Sequence, residues 1–258
     1  MNSISLIIGT GQCNAKCAHC AGKIHRKEAP KEDGVILDAL FRKVLRESWT
    51  NGADYLSLSS SGEPTLSPIS VTKTLELVSE LAEDGFEFNP INLYSNGIKI
   101  GTDEGFCNQY LPLWKNLGLS CIYITVHDIN NAKNAKCFGV KKYPALDIVC
   151  NRIHNAGLLM RANLVLTKKT IGTLEKFIEA VDYLKTIGVD KISSWPIRTE
   201  NDELDTKFAP SEAELDRIEA WAKEQKYAVR VLRSRMVYKN SEKLTLFQNG
   251  ILSNTWCC

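Results

Sequence analysis

Short apolar runs alternate with longer amphipathic segments along most of the chain. The runs at residues 4–8, 55–59, 91–94, 122–126, 159–166 and 191–194 predict β-strands. Segments with apolar residues at helical spacing follow at residues 35–49, 69–81, 106–117, 145–154 and 174–187. This alternation predicts parallel strands with right-handed crossovers. We therefore expect an α/β fold, a partial (β/α)6 TIM-like barrel, although the pattern alone also allows an open doubly wound sheet.

The pattern changes beyond residue 198. Residues 198–207 are polar and acidic, and Ser211 with Glu214 forms a capping box for a helix that ends near Glu224. Two further strands are predicted at residues 227–232 and 244–247. We expect a barrel over residues 1–198 and a short C-terminal extension over residues 199–258, containing this helix and one or two strands, with the tail over the barrel mouth.

Length and charge limit the classes of function. A chain of 258 residues with a formal net charge of +2 gives no general argument for nucleic-acid binding. No apolar run approaches the ~20 residues of a membrane-spanning helix, so no membrane partner is expected. The absence of targeting features predicts a cytoplasmic protein.

Three cysteines near the amino end carry the clearest chemical signal. Cys13, Cys17 and Cys20 have the spacing C-x3-C-x2-C in the loop after the first predicted strand. Three thiolates with this spacing can bind a cubane [4Fe-4S] cluster and leave its fourth iron without a protein ligand. The alternative is a zinc site completed by a nearby histidine, although the second C-x2-C pair of many structural zinc sites is missing.

The cysteine loop, together with Gly62-Glu63-Pro64 after the second strand, resembles the radical S-adenosylmethionine (radical SAM) superfamily. The small members of the molybdenum-cofactor-A, pyrroloquinoline-quinone-E and activating-enzyme type are the most similar. His19 departs from the family pattern, which usually has an aromatic residue before the third cysteine. The resemblance implies a [4Fe-4S] cluster and SAM, which is cleaved reductively to methionine and a 5′-deoxyadenosyl radical that abstracts a hydrogen atom from a substrate.

Polar residues at the strand ends are the candidates for SAM binding, because reactive groups gather at the carboxyl ends of parallel strands. By resemblance, the segment of Gly62, Glu63 and Pro64 meets the methionine amine, and Glu63 either accepts from that ammonium or organises the turn. By the same resemblance, the region of Trp195 and Pro196 contacts adenine, although Trp195 also fits plain core packing. The remaining candidates are Ser95, Asn96, Thr125, Arg161 and Asn163. Ser95 and Asn96 are predicted to bind the SAM carboxylate or ribose, or else to form only an Asn-Gly turn. Arg161 is predicted to pair with the SAM carboxylate, or else with a protein carboxylate such as Glu63.

Candidates for the reaction itself come from the fourth strand and the tail. His127 is a proton-transfer candidate or a hydrogen-bonded wall residue. Cys137 lies in the predicted loop at residues 128–142, and Cys257 and Cys258 end the chain. Three roles are open for these thiols. They ligate a second iron–sulfur cluster, they donate a hydrogen atom to a substrate radical, or they have no part in the reaction. Cys107, Cys121 and Cys150 are expected to pack in the core.

The expected partners follow from this chemistry. An electron donor such as flavodoxin or ferredoxin is needed, and the substrate is a peptide, a nucleoside or a small metabolite. One alternative is an activating enzyme that places a radical on a partner protein. Another, from a different class, is a non-catalytic iron–sulfur or zinc protein. The basic segment at residues 23–31 is either a contact for an acidic partner or a solvated loop.

Overall fold

A computed structural model describes residues 3–20, 34–199, 203–232 and 243–253. In these ranges the strands form one sheet of nine, in the order β7-β6-β5-β4-β3-β2-β1-β8-β9. The strands are β1 (Ser3–Ile7), β2 (Tyr55–Ser59), β3 (Ile91–Ser95), β4 (Leu119–Val126), β5 (Leu159–Leu166), β6 (Lys191–Pro196), β7 (Val229–Val231), β8 (Leu244–Phe247) and β9 (Leu252–Ser253). All adjacent pairs are parallel except β8 with β9.

Helices connect the strands. They are α1 (Asp38–Thr50), α2 (Pro68–Glu83), α3 (Ile98–Thr102), α4 (Glu104–Asn116), α5 (Asn131–Phe138), α6 (Leu146–Asn155), α7 (Leu174–Thr186) and α8 (Glu212–Glu224). A single 3₁₀ turn, Pro64–Leu66, precedes α2. The α/β class and the parallel alternation are confirmed, and the arrangement is the partial TIM barrel expected from the sequence.

Two sequence-based assignments need correction. The predicted loop at residues 128–142 contains α5, whose amino end is capped by the Asn130 side chain and whose carboxyl end is closed by Gly139 in the left-handed conformation. This helix is short, and its polar composition hides its period. Helix α1 begins at Asp38 rather than at residue 35, because the backbone of Leu37, with ψ of 81°, is not helical.

The polypeptide beyond residue 198 adds strands to both edges of the sheet. Strand β7 pairs with β6, and β8 pairs with β1. The predicted cap of α8 is confirmed, since Ser211 Oγ accepts from the Glu214 amide at 3.2 Å. The domain boundary at residue 198 stays a prediction. No helix in the described ranges is long and apolar enough to cross a membrane.

The two faces of the sheet differ in character. One face packs on the helices through fully buried apolar side chains such as Leu58, Leu93, Ile124 and Leu164. Because side chains alternate along a strand, the other face carries the intervening residues. That concave face is polar and partly accessible, and its members include Ser57, Asn92, Tyr123, Arg161 and Asn163.

Candidate active site

The cysteine loop, which we define as residues 9–20, begins just after the carboxyl end of β1. Cys13, Cys17 and Cys20 are half-buried and not joined in disulfides. Within the described ranges, no three His, Cys, Asp or Glu side chains converge as a single metal ion would require. A cubane does not require such convergence, because each thiolate binds a different iron atom.

The loop after β2 supports the cysteine loop through its backbone. The Glu63 amide donates to the Gln12 carbonyl at 2.8 Å. At Gly62, an added Cβ would lie 2.2 Å from that same carbonyl oxygen. Only glycine permits this approach, so Gly62 is required for the close packing of the two loops.

The Glu63 side chain joins the loop after β2 to the loop after β3. Its Oε1 accepts from the Thr65 amide at 3.1 Å, from Thr65 Oγ1 at 2.7 Å and from Ser95 Oγ at 2.8 Å. Its Oε2 accepts from the Asn96 amide at 2.7 Å. Burial raises the pKa of Glu63, and the hydrogen bonds from Asn96, Thr65 and Ser95 oppose that rise. Glu63 therefore organises two strand-end loops, and it makes no ion pair with Arg161.

Asn96 carries this support to the cysteines. Its Nδ2 donates to Asn14 Oδ1 at 2.7 Å and lies 3.8 Å from Cys13 Sγ. Its Oδ1 accepts from the Ile98 amide at 2.9 Å, and its carbonyl accepts from the Tyr143 hydroxyl at 2.8 Å. The amide predicted to bind SAM therefore contacts the cysteine loop, whose shape it helps to set.

The carboxyl end of α5 contacts the far side of the cysteine loop. The Lys16 amide donates to the Phe138 carbonyl at 2.7 Å. Gly139 has φ of +64°, and an added Cβ would lie 2.8 Å from the Lys16 carbonyl oxygen. The loops after β2, β3 and β4 thus each form a hydrogen bond to the cysteine loop.

His127 lies just after β4, which ends at Val126, and is almost fully buried. Its ring meets Phe138 edge-on with centroids 4.7 Å apart, and its Nε2 has no hydrogen-bond partner among the described residues. Burial, with a smaller contribution from the charge of His19, lowers the pKa of His127 to about 4. The imidazole is therefore neutral at pH 7. Both sequence-based roles of His127, proton transfer and a place in the wall of the site, stay predictions.

Other predicted residues lie on the concave face. Thr125 on β4 is opposite Asn163 on β5, and Tyr123 is opposite Arg161. Arg161 Nε donates to Asn163 Oδ1 at 3.0 Å. On β6, Trp195 is half-buried on this face, whereas Pro196 is opposite Leu166 on the face that packs on the helices and is buried. The structure thus brings Thr125, Asn163 and Arg161 together.

The remaining cysteines have different settings. Cys137 is half-buried in the last turn of α5, next to Phe138, and burial raises the pKa of its thiol. Cys107, Cys121 and Cys150 are buried, in agreement with the packing role. Cys257, Cys258 and residues 23–31 lie outside the described residues. His19, on the cysteine loop, packs edge-on against Phe208 with ring centroids 4.4 Å apart.

Several supporting residues were not predicted. Asn14, Phe138, Gly139 and Tyr143 contact the cysteine loop or its immediate supports, but their sequence pattern gives no sign of this. Tyr123 had a usable signal, since it lies two residues before Thr125 and shares its face of the strand.

The chain is similar to proteins of a known family. The family model of the radical SAM superfamily matches residues 7–206. The chain therefore belongs to the radical SAM superfamily. Membership implies a [4Fe-4S] cluster and SAM. No curated protein sequence matches the chain significantly.

Solved structures agree at the level of the fold. SuiB of Streptococcus suis, bound to its precursor peptide SuiA, has a TM-score of 0.71 at 16% identity, over 100% of this chain and 60% of that chain. The structure of anSMEcpe with bound AdoMet gives 0.66 at 11% identity, over 99% and 75%. A radical SAM methyltransferase from Sphaerobacter thermophilus gives 0.62 at 14% identity, over 90% and 66%. The chain spans about three-fifths of the length of SuiB.

The residues present fit the implied cluster. Thiolates are its usual protein ligands, and the three half-buried cysteines lie on one loop at the carboxyl end of the sheet. Asn96 adds a hydrogen-bond donor within 3.8 Å of one of these sulfurs.

Proposed function

We propose that this protein is a radical SAM enzyme that modifies a peptide, a nucleoside or a small metabolite. The observation that carries the proposal is the cysteine loop, with the spacing C-x3-C-x2-C, fixed by hydrogen bonds from three separate strand-end loops. When bound, a cluster with one open iron supplies the electron that cleaves SAM to a 5′-deoxyadenosyl radical and methionine. Cys13, Cys17 and Cys20 would hold it.

The protein's own task is to bind, orient and exclude water. Gly62 and Pro64 shape the turn that faces the methionine end of SAM, and Glu63 keeps that turn attached to Ser95 and Asn96. Thr125, Asn163, Trp195 and Pro196 are proposed to contact the rest of SAM, since they follow one another around the strand ends. His127, which is neutral at pH 7, is proposed as an acceptor or donor for one proton at Nε2.

A peptide is one substrate class within this proposal. SuiB, which shares the fold, has been crystallised with a precursor peptide. The concave face here is polar and partly accessible, so it suits a substrate with hydrogen-bonding groups. Flavodoxin or ferredoxin is proposed as the electron donor. A hydrogen-donor role for Cys137, Cys257 or Cys258, and a second cluster built from them, stay predictions.

Anaerobic reconstitution tests the activity. We expect the loaded protein, with dithionite and SAM, to release 5′-deoxyadenosine and methionine in equal amounts. The matched control replaces Cys13, Cys17 and Cys20 with alanine, which should abolish both iron uptake and cleavage. A wild-type protein with full iron content that releases no 5′-deoxyadenosine would refute the proposal. Tight zinc binding without iron uptake would instead support the non-catalytic alternative.

A further inference from the structure

The concave face of the barrel carries a cationic site that the cluster supports do not use. Arg161, on β5, is only half-buried, and its Cζ lies 3.5 Å from the centroid of the Tyr123 ring. Its Nε donates to Asn163 Oδ1 at 3.0 Å. Stacking and this one hydrogen bond fix the plane of the guanidinium while leaving its two terminal nitrogens available.

No carboxylate in the described part of the chain pairs with Arg161. The buried acid of the site, Glu63, has both oxygens occupied by Thr65, Ser95 and Asn96. A guanidinium that keeps part of its surface in water and has no protein counter-ion can take an anionic ligand as its partner. The position is therefore suited to an anionic group.

The aromatic support under Arg161 is neutral. Tyr123 Oη lies 2.6 Å from Tyr55 Oη, and Tyr94 packs edge-on against the Tyr123 ring at 5.0 Å. Burial raises the pKa of Tyr123 to about 12, so its phenol keeps its proton at pH 7. These tyrosines hold the guanidinium in place without neutralising it.

The surrounding surface is polar as well. Ser5 Oγ lies 2.6 Å from Ser57 Oγ on this face. Asn92 Nδ2 and Thr245 Oγ1 are buried without a hydrogen-bond partner among the described residues. The register places Asn92 opposite Ser57, and Thr245 opposite Ser5, so all four belong to one polar layer. Such groups favour a polar ligand or water over an apolar one.

Depth separates Arg161 from the cysteine loop. Asn163 and Thr125 lie one pleat nearer the carboxyl ends, about 7 Å along the strands. Arg161 is also on β5, whereas the cysteine loop follows β1, four strands away in the sheet. Pairing of Arg161 with the SAM carboxylate stays the sequence-based alternative, and the depth of Arg161 favours an anion that lies deeper in the barrel than the cysteine loop.

We propose that Arg161, supported by Tyr123 and Asn163, binds an anionic group of the substrate, either a carboxylate or a phosphate, inside the barrel. The inference rests on the proposed function only in assigning this anion to the substrate. The substrate class thereby becomes an acidic or phosphorylated molecule whose anion is held inside the barrel, below the carboxyl ends of the strands.

Anion binding is measurable without turnover. Inorganic phosphate and malonate would each be titrated calorimetrically into the cluster-loaded protein with saturating SAM, at constant ionic strength. We expect saturable binding of at least one probe. The tighter probe distinguishes a phosphate from a carboxylate source.

The variants separate this site from general charge. Arg161→Gln is expected to weaken binding of the probe about tenfold, because it removes a charge-assisted hydrogen bond. Lys191→Gln is the matched control: it removes the same charge at the residue opposite Arg161 on β6, where the side chain is exposed, and should change the affinity less than about threefold. Arg161→Lys, which keeps the charge but not the planar fork, should fall between them.

Three results would overturn the inference. They are the absence of saturable binding by the wild-type protein, equal affinity in Arg161→Gln, and competition of the probe with SAM accompanied by a matching loss of SAM affinity in Arg161→Gln. The last result would return Arg161 to the SAM carboxylate. Each differs from failure of the proposed function, in which the wild-type protein does not cleave SAM.

Discussion

The backbone amide of Lys16 donates to the carbonyl of Phe138 at 2.7 Å, and this bond joins the cysteine loop to the end of α5. The Phe138 ring also contacts His127 edge-on and stacks on Tyr143 with ring centroids 4.9 Å apart. The hydrogen bond therefore links the middle of the cysteine loop to buried aromatic residues. Tyr143 in turn donates to the Asn96 carbonyl. The geometry of the three cysteines is therefore set by contacts outside the loop.

Gly139→Ala should impair cluster assembly. The added Cβ would lie 2.8 Å from the Lys16 carbonyl oxygen, and a left-handed alanine costs about 1–2 kcal/mol in addition. Gly157→Ala is the matched control, because Gly157 also has positive φ, +74°, but its added Cβ meets nothing closer than 3.9 Å. We expect lower iron and sulfide content after reconstitution only in Gly139→Ala. Equal iron content in the two variants would contradict a role for Gly139 in positioning the loop.

Asn96→Ala should lower the reduction potential of the bound cluster. It removes the Nδ2 donor near Cys13 Sγ, and hydrogen bonds to cluster sulfurs stabilise the reduced, more negative state. The potential would be followed by an EPR-monitored redox titration, with the exposed Asn155→Ala as control. An unchanged potential in Asn96→Ala at full iron content would show that the 3.8 Å contact has no electronic effect.

Glu63→Gln should destabilise the fold. Four hydrogen-bond donors point at the Glu63 carboxylate, and an amide would turn its own N–H groups towards one or more of them. We expect a loss of about 1–3 kcal/mol in the free energy of unfolding, measured by urea denaturation. Glu83→Gln, at the exposed end of α2, controls for the loss of one charge and should change this free energy little. A loss of equal size in both variants would argue against the linking role of Glu63.

His127→Phe should flatten the dependence of stability on pH. The pKa of His127 is lowered to about 4 in the folded state, below its ordinary value of 6.5, so the unfolded chain binds more protons between these pH values. Stability contributed by neutral His127 is therefore complete above about pH 6.5 and is lost as the pH falls towards 4. Between pH 7 and pH 5 the wild-type protein should lose about 2 kcal/mol more than the variant. An equal loss of unfolding free energy between pH 7 and pH 5 in the wild-type protein and in His127→Phe, measured by urea denaturation, would contradict this assignment.

The sequence by itself determined the order of the elements and the chemistry of the amino end. The short apolar runs located the strands at 55–59 and 159–166 with their observed ends, because a strand buried within the sheet leaves a run of mostly apolar residues in the chain. The spacing of Cys13, Cys17 and Cys20 indicated a cluster, because all three ligands lie within one short loop. Helix α5 was not predicted, because eight mostly polar residues are too few to show a helical periodicity of apolar positions.

Only the tertiary structure decided which polar groups are available for a ligand. Asn96 meets Cys13 across 83 residues of sequence, and Tyr55 meets Tyr123 across 68. Such contacts depend on how the sheet curves and on the register of its strands, neither of which leaves a local pattern. For this reason the chain alone assigned Asn96 and Arg161 to the same ligand, whereas the fold places one against the cysteine loop and the other within the barrel.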